Sequence, residues 1–198
     1  MRKVVFSMAV SLDGFVAGPS GEIEWAAPDE ELHRFHNEQT RELGAHFCGR
    51  RLYEAMVSWE TADRDPSIPD YAREFAGIWQ ALPKIVFSTT LERAEGNARL
   101  ATDGIAEEVA KLKAQPGKDV AVGGAGLAAA FTKLGLIDEY RLFVNPVVLG
   151  GGTPYFPALD GRIDLEPVET RTFASQVLYL RYRRVQAFGN LTTGGERS

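Results

Sequence analysis

Cysteine is almost missing from this chain of 198 residues, in which Cys48 is the only one. A single cysteine cannot form an internal disulfide, and its scarcity fits a cytosolic compartment. Basic residues are also in deficit, since 22 Lys and Arg stand against 27 Asp and Glu, for a formal net charge of -5. No positive field is therefore expected to attract nucleic acid or an anionic membrane.

Long apolar runs are missing as well. No run approaches the roughly 20 residues that a membrane-spanning helix needs, so no transmembrane segment is expected. The apolar run at residues 3–12 is cut off by Asp13-Gly14, which favours a first buried strand over a signal peptide. We therefore expect a cytoplasmic protein whose partner is a small molecule, with no nucleic acid and no membrane among its ligands.

Apolar residues make up 44% of the chain, which is enough for a hydrophobic core. The length predicts a single domain, which we assign to residues 1–188. From residue 189 onward the sequence is rich in Gly, Thr and polar residues. We predict a disordered tail over residues 189–198.

Strand and helix patterns alternate through about residue 148. Asp29 is a suitable N-cap for the first of the predicted helices, which cover residues 29–43, 50–58, 70–80, 103–115 and 125–134. The chain then turns to two strands, residues 165–173 and 176–184, whose short link is typical of a hairpin. This order predicts an α/β fold with a central mixed, mostly parallel sheet and a C-terminal antiparallel hairpin.

A glycine-rich junction lies at residues 119–134, where a β-prone run ends at Gly123-Gly124 and an alanine-rich helix pattern follows. Such a junction exposes backbone N–H groups at the positive end of the helix dipole, so that a phosphate can approach closely. The alternative is a tight connection whose small residues serve packing alone. A Rossmann site would also need an acidic residue about 20 positions later, and a P-loop would need Gly-Lys-Ser/Thr, and both are missing.

Two arginines begin the second predicted helix, in the segment Gly49-Arg50-Arg51-Leu52-Tyr53-Glu54. Their charges add to that of the helix N-terminus, which indicates a site for a pyrophosphate or a 2′-phosphate. The alternative is that both side chains are solvated, or paired with Glu54.

Five segments in the same order resemble the dihydrofolate-reductase-like superfamily, in particular the family of the RibD C-terminal reductase domain. They cover much of residues 3–185, and each is weak alone. The segments are Ser11-Leu12-Asp13-Gly14-Phe15-Val16-Ala17-Gly18, Gly49-Arg50-Arg51-Leu52-Tyr53-Glu54, Ser88-Thr89-Thr90, Gly123-Gly124-Ala125-Gly126-Leu127 and the run from Asp138 to Pro154. The resemblance implies a three-layer fold of the dihydrofolate reductase type and a homodimer, with the end of the late hairpin as a plausible contact.

NADPH is the cofactor that the resemblance implies, bound along the carboxyl edge of the sheet. Leu52 departs from the family, which usually has Thr after the arginine pair, so that one hydroxyl contact to phosphate is lost. Matched position by position, the cofactor would contact Ala9, Ala17, Gly18, Gly49, Arg50, Arg51, Ser88, Thr89, Val122, Gly123, Gly124, Ala125, Gly126 and Leu127.

Hydride transfer is the implied reaction, in which the cofactor carries the chemistry and the protein supplies orientation. The folate-reducing members use a carboxylate on the first helix to assist protonation, and the candidates here are Glu30, Glu31 and Asp13. The alternative is that Glu30 and Glu31 only favour the helix dipole and face solvent, and that Asp13 only braces a turn. His33 and His36 lack a third ligand, so no metal is expected.

A flat heterocycle is the expected substrate, such as a pterin or a ribosylated aminopyrimidine. The candidate contacts are Trp25, Tyr53, Gly151, Thr153 and Phe156, although aromatic residues at such positions also serve the core. The riboflavin-pathway protein of this kind reduces 5-amino-6-(5-phosphoribosylamino)uracil and carries a zinc deaminase domain that this chain lacks. The alternatives are a true dihydrofolate reductase and a nucleotide-binding module without catalysis.

Overall fold

The computed structural model describes residues 1–185. The predicted tail at residues 189–198 and the last residues of the predicted domain lie outside the described residues. The ten strands of the described part are β1 (Val4–Ser11), β2 (Phe15–Ala17), β3 (Leu43–Gly49), β4 (Lys84–Phe87), β5 (Ala98–Leu100), β6 (Asp119–Gly123), β7 (Glu139–Asn145), β8 (Thr153–Pro154), β9 (Leu165–Thr172) and β10 (Leu178–Arg184).

Five α-helices connect these strands, and none of the helices in residues 1–185 is long and apolar enough to cross a membrane. In the first of them, Asp29 caps the N-terminus by accepting a hydrogen bond of 2.9 Å from the backbone N–H of Leu32, as the sequence predicts. The helices are α1 (Glu30–Arg41), α2 (Arg50–Met56), α3 (Asp70–Ala81), α4 (Ile105–Lys113) and α5 (Ala125–Lys133).

Eight strands form one sheet in the order β5-β4-β3-β6-β1-β7-β10-β9. The strands from β5 to β7 are parallel to their neighbours, whereas β10 is antiparallel to both β7 and β9. The predicted α/β architecture, with a mostly parallel sheet and an antiparallel C-terminal pair, is therefore confirmed. The predicted homodimer contact at the end of this pair stays a prediction.

Helices cover both faces of the sheet, because the central strands are apolar on both sides. On one face, Val109 of α4 and Phe131 of α5 join the core that contains Phe6 and Phe47. On the other face, α1 packs its buried side chains, Leu32 and Phe35, against a cluster from β7 and β10. The carboxyl ends of β1, β3, β4 and β6 consequently meet at one open edge.

A second, two-stranded sheet joins β2 to β8, two short strands within glycine-rich segments that are typical of loops,. Ala17 pairs with Thr153 across this small sheet. It brings the loop after β1 to the glycine-rich loop after β7, which borders the open edge of the main sheet. Contacts between segments so far apart in the sequence leave no local pattern that would reveal them.

Gly152 is the tightest point of this small sheet. Its φ is +128°, and an added Cβ would lie 2.0 Å from the carbonyl oxygen of Ala17. We expect Gly152→Ala to lower the free energy of unfolding by about 1–3 kcal/mol, measured by urea denaturation. Gly161→Ala is the control, since nothing lies within 4 Å of the added atom; equal effects of the two substitutions would contradict the prediction.

Candidate functional site

A cleft of about 570 Å³ lies at the carboxyl edge of the sheet. Most of the predicted cofactor residues meet there, although they come from three separate segments of the chain. The lining residues are Met8, Val16, Ala17, Ile23, Gly49, Arg50, Arg51, Leu52, Gly124, Ala125, Gly126, Leu127 and Thr153.

The glycine-rich junction forms one wall of this cleft. Gly124 has φ +89°, a backbone conformation that side-chain-bearing residues rarely adopt. Gly124 is also the N-cap of α5, and no side chain caps that helix, so that its first N–H groups are available to a ligand. Nothing lies within 4 Å of a Cβ added at Gly126, which leaves the approach to these N–H groups open. This geometry suits a phosphate.

Arg50 and Arg51 form the opposite wall, at the start of α2. Both side chains are exposed, and Arg50 makes a 3.2 Å ion pair with Glu54. An exposed pair of this kind contributes little to stability, so Arg50 can exchange Glu54 for a phosphate at small cost.

The cleft continues past Arg50 into a neighbouring depression of about 560 Å³, lined by Arg50, Phe87, Ser88, Thr89, Thr90, Ala101 and Asp103. The structure thus brings the predicted Ser88 and Thr89 next to the arginine wall. Asp103 is an acid that the sequence analysis does not assign to this site. Its hydrogen bonds with Lys111 and Thr102 hold the pKa of Asp103 below its usual value, so that this carboxylate is ionised.

A second cavity, of about 380 Å³, lies on the α1 face of the sheet and shares Met8 and Leu52 with the cleft. It contains the chain's three histidines, His33, His36 and His46. The remaining lining residues are Val5, Ser7, Ala9, Pro28, Gln39, Thr40, Leu43, Met56, Trp59, Phe75, Trp79, Ala121, Val122 and Arg141. We call this space the ring cavity.

The floor of the ring cavity follows from strand register. His46, Ala121 and Val5 lie side by side on β3, β6 and β1, and Ser7 pairs with Arg141 on β7. Neighbouring strands are about 4.8 Å apart, so β3, which carries His46, and β7, which carries Arg141, lie roughly 14 Å apart across the sheet. The floor is therefore polar at both ends and small and apolar between them.

Burial controls the charge of the imidazoles. It lowers the pKa of His36 and of His46 to about 4, and it also lowers the pKa of His33. Nδ1 of His46 lies 3.1 Å from the carbonyl oxygen of Phe47 and 3.2 Å from Sγ of Cys48. At neutral pH the histidines line the cavity as uncharged groups.

The three predicted catalytic carboxylates do not line the ring cavity, because each has another partner. Asp13 accepts hydrogen bonds from Ser11 Oγ at 2.7 Å and from the backbone N–H groups of residues 149 and 150, and the bond from Ser11 is the main reason that its pKa is lowered. Glu30 pairs with Arg34 at 2.8 Å. Glu31 pairs with Arg171 at 3.1 Å.

The predicted substrate contacts are dispersed. Tyr53 is buried, and its hydroxyl accepts a 2.7 Å hydrogen bond from the backbone of residue 95. Trp25 donates to the carbonyl oxygen of residue 22, and Phe156 packs on Tyr155. Thr153 lines the cleft, and a Cβ added at Gly151 would lie 3.8 Å from Cγ of Pro19.

Six of the predicted cofactor residues do not line the cleft: Ser88 and Thr89 border the neighbouring depression, and the others are Ala9, Gly18, Val122 and Gly123. Ala9 and Val122 line the ring cavity. Gly18 lies against Gly152, and Gly123 is wedged between Leu52 and His46. All the predicted cofactor contacts, including those that line the cleft, remain predictions.

Sequence reasoning misses the polar groups of the ring cavity: His36, His46, Gln39 and Arg141. One signal was available, since Glu139 and Arg141 are charged residues inside an otherwise apolar strand pattern. Such residues in a central strand are either paired or functional.

The family model of the RibD C-terminal domain matches residues 2–179. The chain belongs to this family. Among the relatives of this RibD C-terminal domain protein, the uncharacterized protein YyaP of Bacillus subtilis is 37% identical over 182 residues, which are 91% of this chain and 94% of YyaP.

Two solved structures share the fold. A protein from Shewanella sp. PV-4 assigned to riboflavin biosynthesis has a TM-score of 0.73 at 23% identity, covering 94% of this chain and all of the other. Dihydrofolate reductase from Enterococcus faecalis, solved with NADP(H), has a TM-score of 0.60 at 18% identity, covering 93% of this chain and 97% of the other. The dihydrofolate-reductase-like fold that the sequence predicts is therefore confirmed.

Proposed function

We propose that this RibD C-terminal domain protein is an NADPH-dependent reductase that transfers hydride to a small planar heterocycle. One observation carries the proposal: the cleft at the carboxyl edge of the sheet and the ring cavity share the walls formed by Met8 and Leu52. A dinucleotide held in the cleft can therefore present one end to a molecule in the cavity. The structure of a dihydrofolate reductase with NADP(H) and the family itself support the choice of cofactor.

The residues of the cleft fit such a cofactor. The uncapped N-terminus of α5 and the open space above Gly126 would receive the pyrophosphate,. Arg50 and Arg51 would bind phosphate oxygens, and Ser88 and Thr89 would lie beside the adenosine end. The bound cofactor supplies the hydride. The chain supplies position and a cavity in which the acceptor ring lies between the sheet and α1.

A reductase is favoured over a nucleotide-binding module without catalysis because the ring cavity is open, with a volume of about 380 Å³. A binding module would be expected to fill that space with aromatic side chains. A true dihydrofolate reductase is disfavoured, since the lining contains no carboxylate to assist protonation. A pterin and a ribosylaminopyrimidine, including 5-amino-6-(5-phosphoribosylamino)uracil, remain the candidate acceptors.

Titration with NADPH and with NADH, followed by quenching of tryptophan fluorescence, tests the cofactor assignment. Trp59 lines the ring cavity and is a suitable reporter. We expect the double substitution Arg50→Ala and Arg51→Ala to raise the Kd for NADPH by about tenfold or more, because loss of even one charge-assisted contact to phosphate costs about 1.5–3 kcal/mol. The preference for NADPH over NADH should decrease in parallel.

The control is a double substitution of two arginines outside both cavities. Arg93→Ala with Arg162→Ala removes the same charge from side chains that are 85% and 86% exposed, and it should leave the Kd for NADPH unchanged. If wild-type protein binds neither cofactor, the reductase proposal fails. If the control weakens binding as much as the test variant, long-range charge and not direct contact is responsible.

A further inference from the structure

The end of the ring cavity that lies over β7 presents hydrogen-bond donors. Nε of Arg141 donates to Glu139 at 2.8 Å, Nη2 lies 2.6 Å from the same carboxylate, and Nη1 donates to Oε1 of Gln39. A guanidinium has five N–H groups. One N–H on each terminal nitrogen of Arg141 therefore has no partner among residues 1–185, and Arg141 is a lining residue of the cavity.

Gln39 adds to this donor set. Its Oε1 accepts from Arg141 and also from the hydroxyl of Tyr179 at 3.4 Å. The oxygen is thus occupied, and the amide nitrogen of Gln39 has no partner within the described part of the chain. Ser7, which pairs with Arg141 in register, contributes an exposed hydroxyl. A ligand at this end finds several donors and few acceptors.

The charge at this end is positive. Glu139 is the nearest carboxylate, but its side chain is only 1% exposed and binds Arg141, Arg181 and Lys3 together. Three cations thus surround one buried anion, and Glu169 approaches Arg181 no closer than 3.7 Å. The lining itself contains no Asp and no Glu, and its histidines are uncharged at neutral pH. A cationic ring would find no counterion here.

The middle of the cavity suits an aromatic ring. Val5 and Ala121 form a small apolar floor, and Trp59, Phe75 and Trp79 close the opposite side. Aromatic side chains favour a flat ligand, and a few polar groups then fix its orientation.

We propose that Arg141 and Gln39 select the acceptor of this reductase: a planar ring with a carbonyl or ionised oxygen directed at their N–H groups, and not a protonated diamino ring. The inference rests on the proposed function, because it places the acceptor in the ring cavity. Arg141 and Gln39 are then specificity-determining residues, because their N–H groups favour an acceptor ring that carries oxygen over one that carries positive charge.

Two pteridines of the same skeleton test the assignment. Lumazine carries oxo groups at positions 2 and 4, whereas 2,4-diaminopteridine carries amino groups there and becomes cationic on protonation. We expect lumazine to bind the NADPH-loaded protein about tenfold or more tightly than 2,4-diaminopteridine, measured by calorimetry with and without NADPH. Equal or tighter binding of 2,4-diaminopteridine would overturn the assignment.

Gln39→Glu is the decisive variant, because it introduces a carboxylate at the donor end with almost no change in size. The preference for lumazine should be lost and 2,4-diaminopteridine should gain affinity. Gln115→Glu makes the same chemical change on the exposed surface after α4 and should change neither affinity. An unaltered preference in Gln39→Glu would show that this end does not select the ring.

The experiment separates the inference from the proposed function. If NADPH binds and neither pteridine does, the acceptor assignment fails while the cofactor site stands. If NADPH does not bind, the reductase proposal fails, and the ring preference measured without cofactor still decides whether Arg141 and Gln39 select an oxo ring.

Discussion

Replacing Glu60 with Gln should lower the free energy of unfolding by about 3–5 kcal/mol, because it leaves the buried ammonium of Lys84 without a counterion. The Lys84 side chain is 0% exposed, and its Nζ lies 2.6 Å from Oε1 of Glu60. The ammonium also lies 4.8 Å from the ring centroid of Trp79, a lining residue of the ring cavity. The ion pair therefore supports one wall of the candidate active site.

A double-mutant cycle distinguishes loss of the pair from a general packing defect. Lys84→Met removes the buried charge but keeps the shape of the chain, and Glu60, whose side chain is 16% exposed, can then reach solvent. We expect this variant, and the double variant Glu60→Gln with Lys84→Met, to lie within about 1 kcal/mol of wild type. The measurement is urea denaturation at pH 7. A Glu60→Gln variant as stable as wild type would show that the buried ammonium needs no counterion.

The same pair shows where sequence reasoning stops. Lys84 begins β4, whose apolar run is typical of a strand, whereas Glu60 begins a polar, proline-containing segment that is typical of a surface loop. Nothing in either local pattern indicates that the loop folds back over the sheet and buries a charge. Long-range pairs of this kind depend on topology, and topology is only partly visible in one sequence.

The two parts of the candidate site also differ in how far the sequence predicts them. The cleft could be predicted because its parts are local: glycines that end β6 and arginines that begin α2 are recognisable wherever they occur. The ring cavity could not be predicted, since His36, His46 and Arg141 come from α1, β3 and β7. Only the strand order places β3 and β7 on either side of β6 and β1, and only then do these residues face one space. Glu30 and Glu31 are suitable catalytic carboxylates by sequence position alone. In the structure their side chains pair with Arg34 and Arg171 instead.

Acidification from pH 7 to pH 5 should lower the free energy of unfolding by about 4 kcal/mol through two histidines alone, roughly 2 kcal/mol from each. Burial lowers the pKa of His36 and His46 from the ordinary 6.5 to about 4 in the folded protein. Below pH 6.5 the unfolded chain therefore binds protons that the folded protein does not, and stability is lost as the pH falls toward 4. The lowered pKa values of carboxylates such as Glu139 act in a lower window, which separates the two effects.

The substitution His36→Phe tests whether buried histidines cause this loss of stability on acidification. The His36 ring lies 4.3 Å from the ring of Phe143, and phenylalanine preserves an aromatic contact without a titrating group. The variant should lose only about 2 kcal/mol between pH 7 and pH 5, measured by urea denaturation at each pH. A wild-type loss below 1 kcal/mol, or the same loss in the variant, would mean that His36 is protonated in the folded protein. The ring cavity would then carry a second positive charge on the β7 side, where His36 packs on Phe143, and a cationic acceptor would be excluded even more strongly than Arg141 alone excludes it.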